Sequence, residues 1–181
     1  MARVGAQRGP LAGILSAGLL VSDPAEKADG VAVAAVAYPD GDPVEVAWVG
    51  DCRAYGWTGT VLRRYTTDHT VGEQLRRNGA PWELAAEHDN WVQTSLAHAT
   101  VATVYQVQVD TPLVLLTSDG VHDQIDHDTL TALVAQHADG DLQTLANAVV
   151  AAVTDREDYR DDATIVVLAR PHSGATSARR S

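Results

Sequence analysis

The chain has 181 residues and is 45% apolar, enough to bury one core of ordinary domain size, and nothing in its length argues for a second. A formal charge of −11 repels phosphate backbones and anionic lipid, which excludes nucleic acid and membrane as partners. Cys52 is the sole cysteine, so neither an internal disulfide nor a thiolate metal cage can form; it reads as small core filler in a protein of the reducing cytoplasm.

There is no Phe, so Val, Leu, Ile and Ala must fill the interior, with Trp48, Trp57, Trp82 and Trp91 as the large fillers. In chain order, residues 11–21 (LAGILSAGLLV) follow two arginines, as a signal-peptide core would, but no clean small-x-small cleavage site follows them. Leu11, Ile14, Leu15 and Leu19 share one face at helical spacing, so the stretch is expected as an amphipathic helix, too short to span a bilayer. Residues 1–29 are thus a leading helix and linker. Residues 30–38 and 44–50 alternate as strands around a turn containing Asp40-Gly41, and residues 53–57 and 61–66 form a second pair. Four strands joined by short turns predict one antiparallel meander. A helix begins at Val71 and stops at Asn78-Gly79, and Pro81 opens another through Trp82 and Ala85. Residues 103–109 and 112–117 are strands, the second so continuously apolar that it belongs deep in a sheet. Two helices follow, one with Leu130, Leu133, Val134 and His137 on a face, the other with Leu142, Leu145, Ala146 and Val149, separated by Gly140. An acid-rich loop then leads to a last strand at 164–169 and to a tail, residues 171–181, expected to be disordered. Strands, then helices, then a strand make a layered α+β domain spanning residues 30–170.

The chemistry is expected where aspartates follow or precede buried strands, because there a rigid backbone delivers a carboxylate into a cleft. Asp51 follows the second strand, Asp119 follows the sixth, and Asp161 and Asp162 precede the last. Carboxylates meeting at one sheet end suit a hard divalent ion such as Mg²⁺ or Mn²⁺, whose bound water becomes acidic enough to attack phosphorus. A strand-terminal Asp is also a common turn residue bonded to its own backbone, so spacing alone leaves both readings open.

The local sequences narrow the choice. VGDCRAY resembles the GDSRAY strand-turn of the metal-dependent serine/threonine protein phosphatases of the 2C-like (PPM) family, YTTDHT resembles its T-x-D-H segment, LLTSDGVHD its LLxSDGLxD, and RDDATIVVL its D-N-x-T-x-V-V-V ending. The four motifs occur in the family's order between residues 30 and 168. The resemblance implies a PPM-phosphatase-like β-sandwich of antiparallel sheets flanked by α-helices, with a phosphoserine- or phosphothreonine-bearing protein as substrate and Mg²⁺ or Mn²⁺ as cofactor. It implies that Asp119 and Asp161 ligate the first metal and that Asp51 matches a third-metal aspartate. Asp162, Asp123 and Gly120 are then supporting residues that orient the site, and Thr66, Asp68 and His69 are structural, capping and packing.

The family begins with an Asp-Gly-x-Gly-Gly loop whose first Asp bridges both metals and with a basic residue that grips phosphate, and neither occurs upstream of Asp51. The fold is therefore expected as an N-terminally truncated version with one weak ion site, little or no turnover, and open sheet edges that a protein partner would cover. The alternative is a degenerate phosphatase-like regulatory or binding module in signalling. No G-x-S-x-G elbow, helical His pair or Gly-rich phosphate loop supports serine-hydrolase, zinc or nucleotide chemistry, and the His-Asp pairs at 88–89 and 122–123 lack the all-helical setting of a phosphohydrolase.

Overall fold

The computed structural model describes residues 1–21, 29–153 and 162–170. Most of the expected linker, the acid-rich loop with Asp161, and the tail 171–181 lie outside the described residues.

All seven expected strands form: β1 (Ala32–Val36), β2 (Val44–Val49), β3 (Arg53–Trp57), β4 (Leu62–Arg64), β5 (Tyr105–Val109), β6 (Leu113–Thr117) and β7 (Ile165–Ala169). They do not make a single meander. β1, β2 and β5 form one antiparallel sheet in the order β1-β2-β5, while β3 and β4 join a second, β4-β3-β6-β7. The chain changes sheet at Gly50, whose φ of 90° lies in the left-handed region, so the four-strand expectation fails at one residue. A Cβ there would also fall 2.1 Å from the Val31 side chain.

Alternation along each strand explains the layering. Val44, Val46 and Trp48 of β2 and Val109 of β5 face Ala54, Val114 and Leu116 of the second sheet and make the sandwich core. The other side of β2 presents Ala47 and Val49, which with Ala32 receive Ile14 from helix α2 (Pro10–Val21). On the far face, Tyr55, Trp57, Leu113 and Leu115 pack against Leu130 and Val134 of α6 (His127–His137) and Leu145 and Val149 of α7 (Leu142–Ala152). β6 is buried on both faces, which is why it reads as an unbroken apolar run. The order of layers is helix, sheet, sheet, helix pair.

Local chemistry starts the helices where expected. Asp126 and Asp141 accept from the backbone N–H of Thr129 and Thr144 to cap α6 and α7. Thr70 accepts from Glu73 N–H to cap α3 (Val71–Arg77), followed by the short α4 (Trp82–Ala86) and by α5 (Asp119–His122) after β6.

Three further expectations are corrected. The leading segment contains two helices, α1 (Ala2–Arg8) and α2, packed on one another where Gly5 meets Gly13. Ile14 is fully buried and Leu11 and Leu15 partly, but Leu19 is 81% exposed: a three-stranded sheet gives α2 apolar cover only along its middle turns. Of the four tryptophans only Trp48 and Trp57 are core residues. Trp82 and Trp91 are 67% and 60% exposed because the α3–α4 hairpin buries little besides Gly72 and Ala85, leaving Trp82 under the Arg76 guanidinium and Trp91 edge-on to His88.

Gly50→Ala should lower stability by about 2–4 kcal/mol, combining left-handed strain with the Val31 clash, read as a reduced urea midpoint at unchanged slope.

Candidate metal centre at the acidic end of the sandwich

The pairing of β3 with β6 sets Arg53 opposite Thr117, and β7 places Ile165 opposite the same Thr117 from the other side. Extending the β3–β6 register by two residues brings Asp51 across from Asp119. The start of β7 closes in as well: Ser118 N–H donates to Thr164 O at 3.0 Å, Ser118 Oγ donates to Asp162 O at 3.2 Å, and Thr164 N–H returns a bond to Ser118 Oγ at 3.0 Å. Gly120 permits this contact, since a Cβ there would lie 2.7 Å from Asp162 O. Three separate stretches thus meet at one end of the second sheet.

Asp51 is the buried member. It is 9% exposed, and its Oδ1 has no hydrogen-bond partner. Burial, then the charges of Asp119, Asp68 and Asp123, push its carboxyl up to about 6. Asp119 is half-buried at the first position of α5, with Oδ1 accepting from Gly120 N–H at 2.9 Å and its carbonyl accepting from Asp123 N–H at 2.9 Å. Asp123 and Asp162 are more open at the rim. Asp161, the remaining first-metal candidate, lies outside the described residues. Among the described residues no three His, Cys, Asp or Glu side chains group tightly enough to cage an ion. Asp51 and Asp119 are left as two carboxylates that feel one another's charge at this end of the sheet.

The positive charges beside this pair are engaged elsewhere. Arg53 donates through Nε and Nη2 to Asp68, at 3.2 and 2.7 Å, and Arg64 Nη2 donates to the other oxygen of Asp68 at 2.6 Å. Asp68 does not cap α3, as the sequence suggested; Thr70 does, and Asp68 is the hub of a partly buried ion cluster. The same loop is held to the strand bearing Asp51: Thr66 Oγ1 accepts from Ala54 N–H, His69 Nδ1 from Gly50 N–H, and Trp48 Nε1 donates to Thr67 O. His69 is packed edge-on against Tyr105, with centroids 4.4 Å apart. His122, on the same turn as Asp119, is driven down to about 3 by burial and then by Arg53, so it stays neutral. Sequence reasoning missed the Arg53–Asp68–Arg64 cluster, although the charges at 53, 64 and 68 on adjacent antiparallel strands and their exit were visible, and it gave His122 no role.

An all-oxygen set with a buried, unpartnered carboxylate beside a second one fits a hard cation and does not fit a soft one.

Comparison with protein-family models finds no match, and comparison with curated protein sequences finds none either. Solved structures do match. A bacterial serine phosphatase superposes with a TM-score of 0.69 at 20% identity, over 86% of this chain and 64% of its own. The PPM Ser-Thr phosphatase MsPP from Mycobacterium smegmatis, solved with cacodylate, gives 0.67 at 20% identity over 90% and 71%. The catalytic domain of the serine/threonine phosphatase PstP, solved with two manganese ions, gives 0.60 at 20% identity over 87% and 66%. The fold is that of the PPM phosphatases. This chain spans somewhat less than two thirds of the first of these relatives. In this chain the acidic end is formed by the turns that carry the VGDCRAY and LLTSDGVHD motifs.

Because the folded Asp51 holds its proton up to about pH 6 while an unfolded Asp releases it near 3.8, the native state is penalised progressively as pH rises from about 4 to about 6, and the penalty is complete above that. In chelator, the stability of Asp51→Asn relative to the parent should accordingly grow by about 1–2 kcal/mol between pH 4 and pH 7, after discounting for solvent screening. Parallel urea melts check it; a pH-independent difference refutes the buried-carboxylate assignment. Asp68→Ala strands two arginines and should cost about 3–5 kcal/mol in the same assay.

Proposed function

We propose that the chain is a PPM-type serine/threonine phosphatase domain, acting in the cytoplasm, whose acidic end holds one Mg²⁺ or Mn²⁺ ion weakly through Asp119 and Asp161, with Asp51 beside it at the position that matches the family's third-metal aspartate. The single observation that carries this reading is the buried Asp51 carboxylate, unpartnered at Oδ1 and crowded by Asp119: an arrangement that destabilises the protein by itself and is relieved by a cation. Asp123, Asp162 and Gly120 act as supporting residues, fixing the turn after β6 against the start of β7. A bound divalent ion of this kind acidifies its water and neutralises charge on a phosphoryl oxygen. The protein's own part is to hold the carboxylates on rigid strand ends and to keep the neighbouring arginines on Asp68, leaving Asp51 and Asp119 negative. The solved phosphatases of this fold, one holding two manganese ions, support the choice of ion, and a phosphoserine or phosphothreonine protein is the corresponding substrate.

Residues 1–181 contain no Asp-Gly-x-Gly-Gly run, so no residue matches the bridging ligand that the resemblance calls for, and turnover by this chain is low. Among the described residues β1 pairs only with β2 and β7 only with β6. An apolar cavity of about 360 Å³ lies where α1 and α2 meet β1, lined by Gly5, Gly13, Val33, Ala35 and Leu116, and Val166 of β7 is 45% exposed. A protein segment covering these edges is the partner this reading implies. Among the described residues no helix is long and apolar enough to cross a membrane.

Thermal and urea melts with Mn²⁺ against chelator should show saturable stabilisation, reaching about 2.7 kcal/mol at a hundredfold excess over Kd, and Asp119→Asn and Asp161→Asn should each abolish it. Equal stabilisation of these variants would place the ion elsewhere and defeat the reading. Hydrolysis of a phosphopeptide that requires Mn²⁺ and disappears in Asp119→Asn establishes the enzyme; ion binding without any turnover favours a phosphatase-like regulatory module.

A further inference from the structure

The ladder between β6 and β7 ends at the pair Thr117 and Ile165. One residue further on, β6 is diverted into a helix: Ser118 stands at the N-cap position of α5, and its carbonyl accepts from Val121 N–H at 3.2 Å. Opposed residues of an antiparallel ladder that bond directly exchange two N–H···O=C bonds. Thr164, opposite Ser118, keeps one of them, its carbonyl accepting from Ser118 N–H at 3.0 Å. Because the Ser118 carbonyl is turned into α5, the Thr164 N–H goes instead to Ser118 Oγ, at 3.0 Å. The hydroxyl proton is then donated to Asp162 O at 3.2 Å. One side chain thus carries the contact on to Asp162 after the backbone of β6 has left the sheet.

A serine at the start of a helix ordinarily accepts from an N–H of the first turn. Ser118 makes no such bond, and the first-turn N–H of Gly120 is taken by Asp119 Oδ1 at 2.9 Å. With its proton given to Asp162 and a lone pair to Thr164, the hydroxyl is committed to the start of β7. Gly120 makes room for the same contact: a Cβ there would stand 2.7 Å from Asp162 O and 2.9 Å from the carbonyl carbon. Ser118 and Gly120 are the two chain neighbours of Asp119, so the Asp162 peptide is held from both sides of that carboxylate.

We propose that Ser118 is a positioning residue for the divalent ion: its hydroxyl fixes residues 162–164 against the Asp119 turn, so that the β6 turn and the chain entering β7 present their carboxylates together. This role rests on the ion proposed above. Both the proton and a lone pair of the hydroxyl are already engaged, so Ser118 acts through Asp119 and the Asp162 peptide rather than by touching ion or substrate. Groups that orient a metal's ligands typically set its affinity by about ten- to a hundredfold.

Mn²⁺ titrated into the whole chain, followed by calorimetry and by solvent proton relaxation, reads that affinity without requiring turnover. Ser118→Ala is expected to bind about ten- to a hundredfold more weakly than the parent, and Ser118→Thr, which keeps the hydroxyl, to bind as the parent does. In chelator the Thr164 amide should exchange faster in Ser118→Ala and at the parent's rate in Ser118→Thr. Asp141→Ala removes the α7 cap and so lowers stability without touching the junction of β6 and β7, and it should keep the parent's affinity. Parent affinity or unchanged Thr164 exchange in Ser118→Ala, or an equal loss of affinity in Ser118→Thr or Asp141→Ala, overturns the positioning role and leaves the metal centre standing. A parent that binds no Mn²⁺ removes the metal centre, and this role with it.

Discussion

Two like charges are pressed together by strand register. β3 must lie against β6 with Arg53 opposite Thr117, because that pairing puts Tyr55 and Trp57 on the helix-covered face and Ala54 in the sandwich core. Slipping by one residue would turn every one of these side chains to the wrong face. Once the register is set, the residues just beyond both strands, Asp51 and Asp119, come near enough that the charge of Asp119 acts on Asp51. The hydrophobic gain of the two cores is large compared with a carboxylate repulsion of a few kcal/mol, so the fold tolerates this crowding of charge.

The surroundings are arranged so that the repulsion is not quenched internally. Arg53 is two residues from Asp51, yet its guanidinium is turned to Asp68, which also takes Arg64. Thr66, Thr67 and His69 pin that loop to β2, β3 and Gly50 by side-chain to backbone bonds, so Asp68 stays in place. The outcome is a separation of charge across one sheet: two carboxylates at the strand end, and the Arg53–Asp68–Arg64 cluster beside β4. Neutral His122 stands between them, held uncharged by burial and by Arg53.

The PPM fold gives these features a common frame. The relatives it superposes on carry roughly a third more chain, and among the described residues β1 and β7 are the edge strands of the two sheets on one side of the sandwich.

Much of this was legible in the residues. Alternation, turn signals and apolar runs located all seven strands, Asn78-Gly79, Pro81 and Gly140 located helix ends, and the unbroken apolar run of β6 announced burial on both faces. Asp51, Asp119 and Asp162 stand at strand ends because local turn chemistry put them there. What the sequence could not decide was partnership. Whether β2 and β3 continue one sheet or belong to two depends on a single left-handed glycine and on which faces find apolar cover. Trp82 and Leu19 are as apolar as Trp57 and Ile14, yet they stay in solvent because the elements opposite them end too soon. The use of Asp68 as the hub for two arginines, rather than as a cap, likewise arises from strands brought together over distances along the chain that no local pattern encodes. Secondary structure follows from neighbours in sequence, but burial, charge pairing and the meeting of the carboxylates follow from neighbours in space.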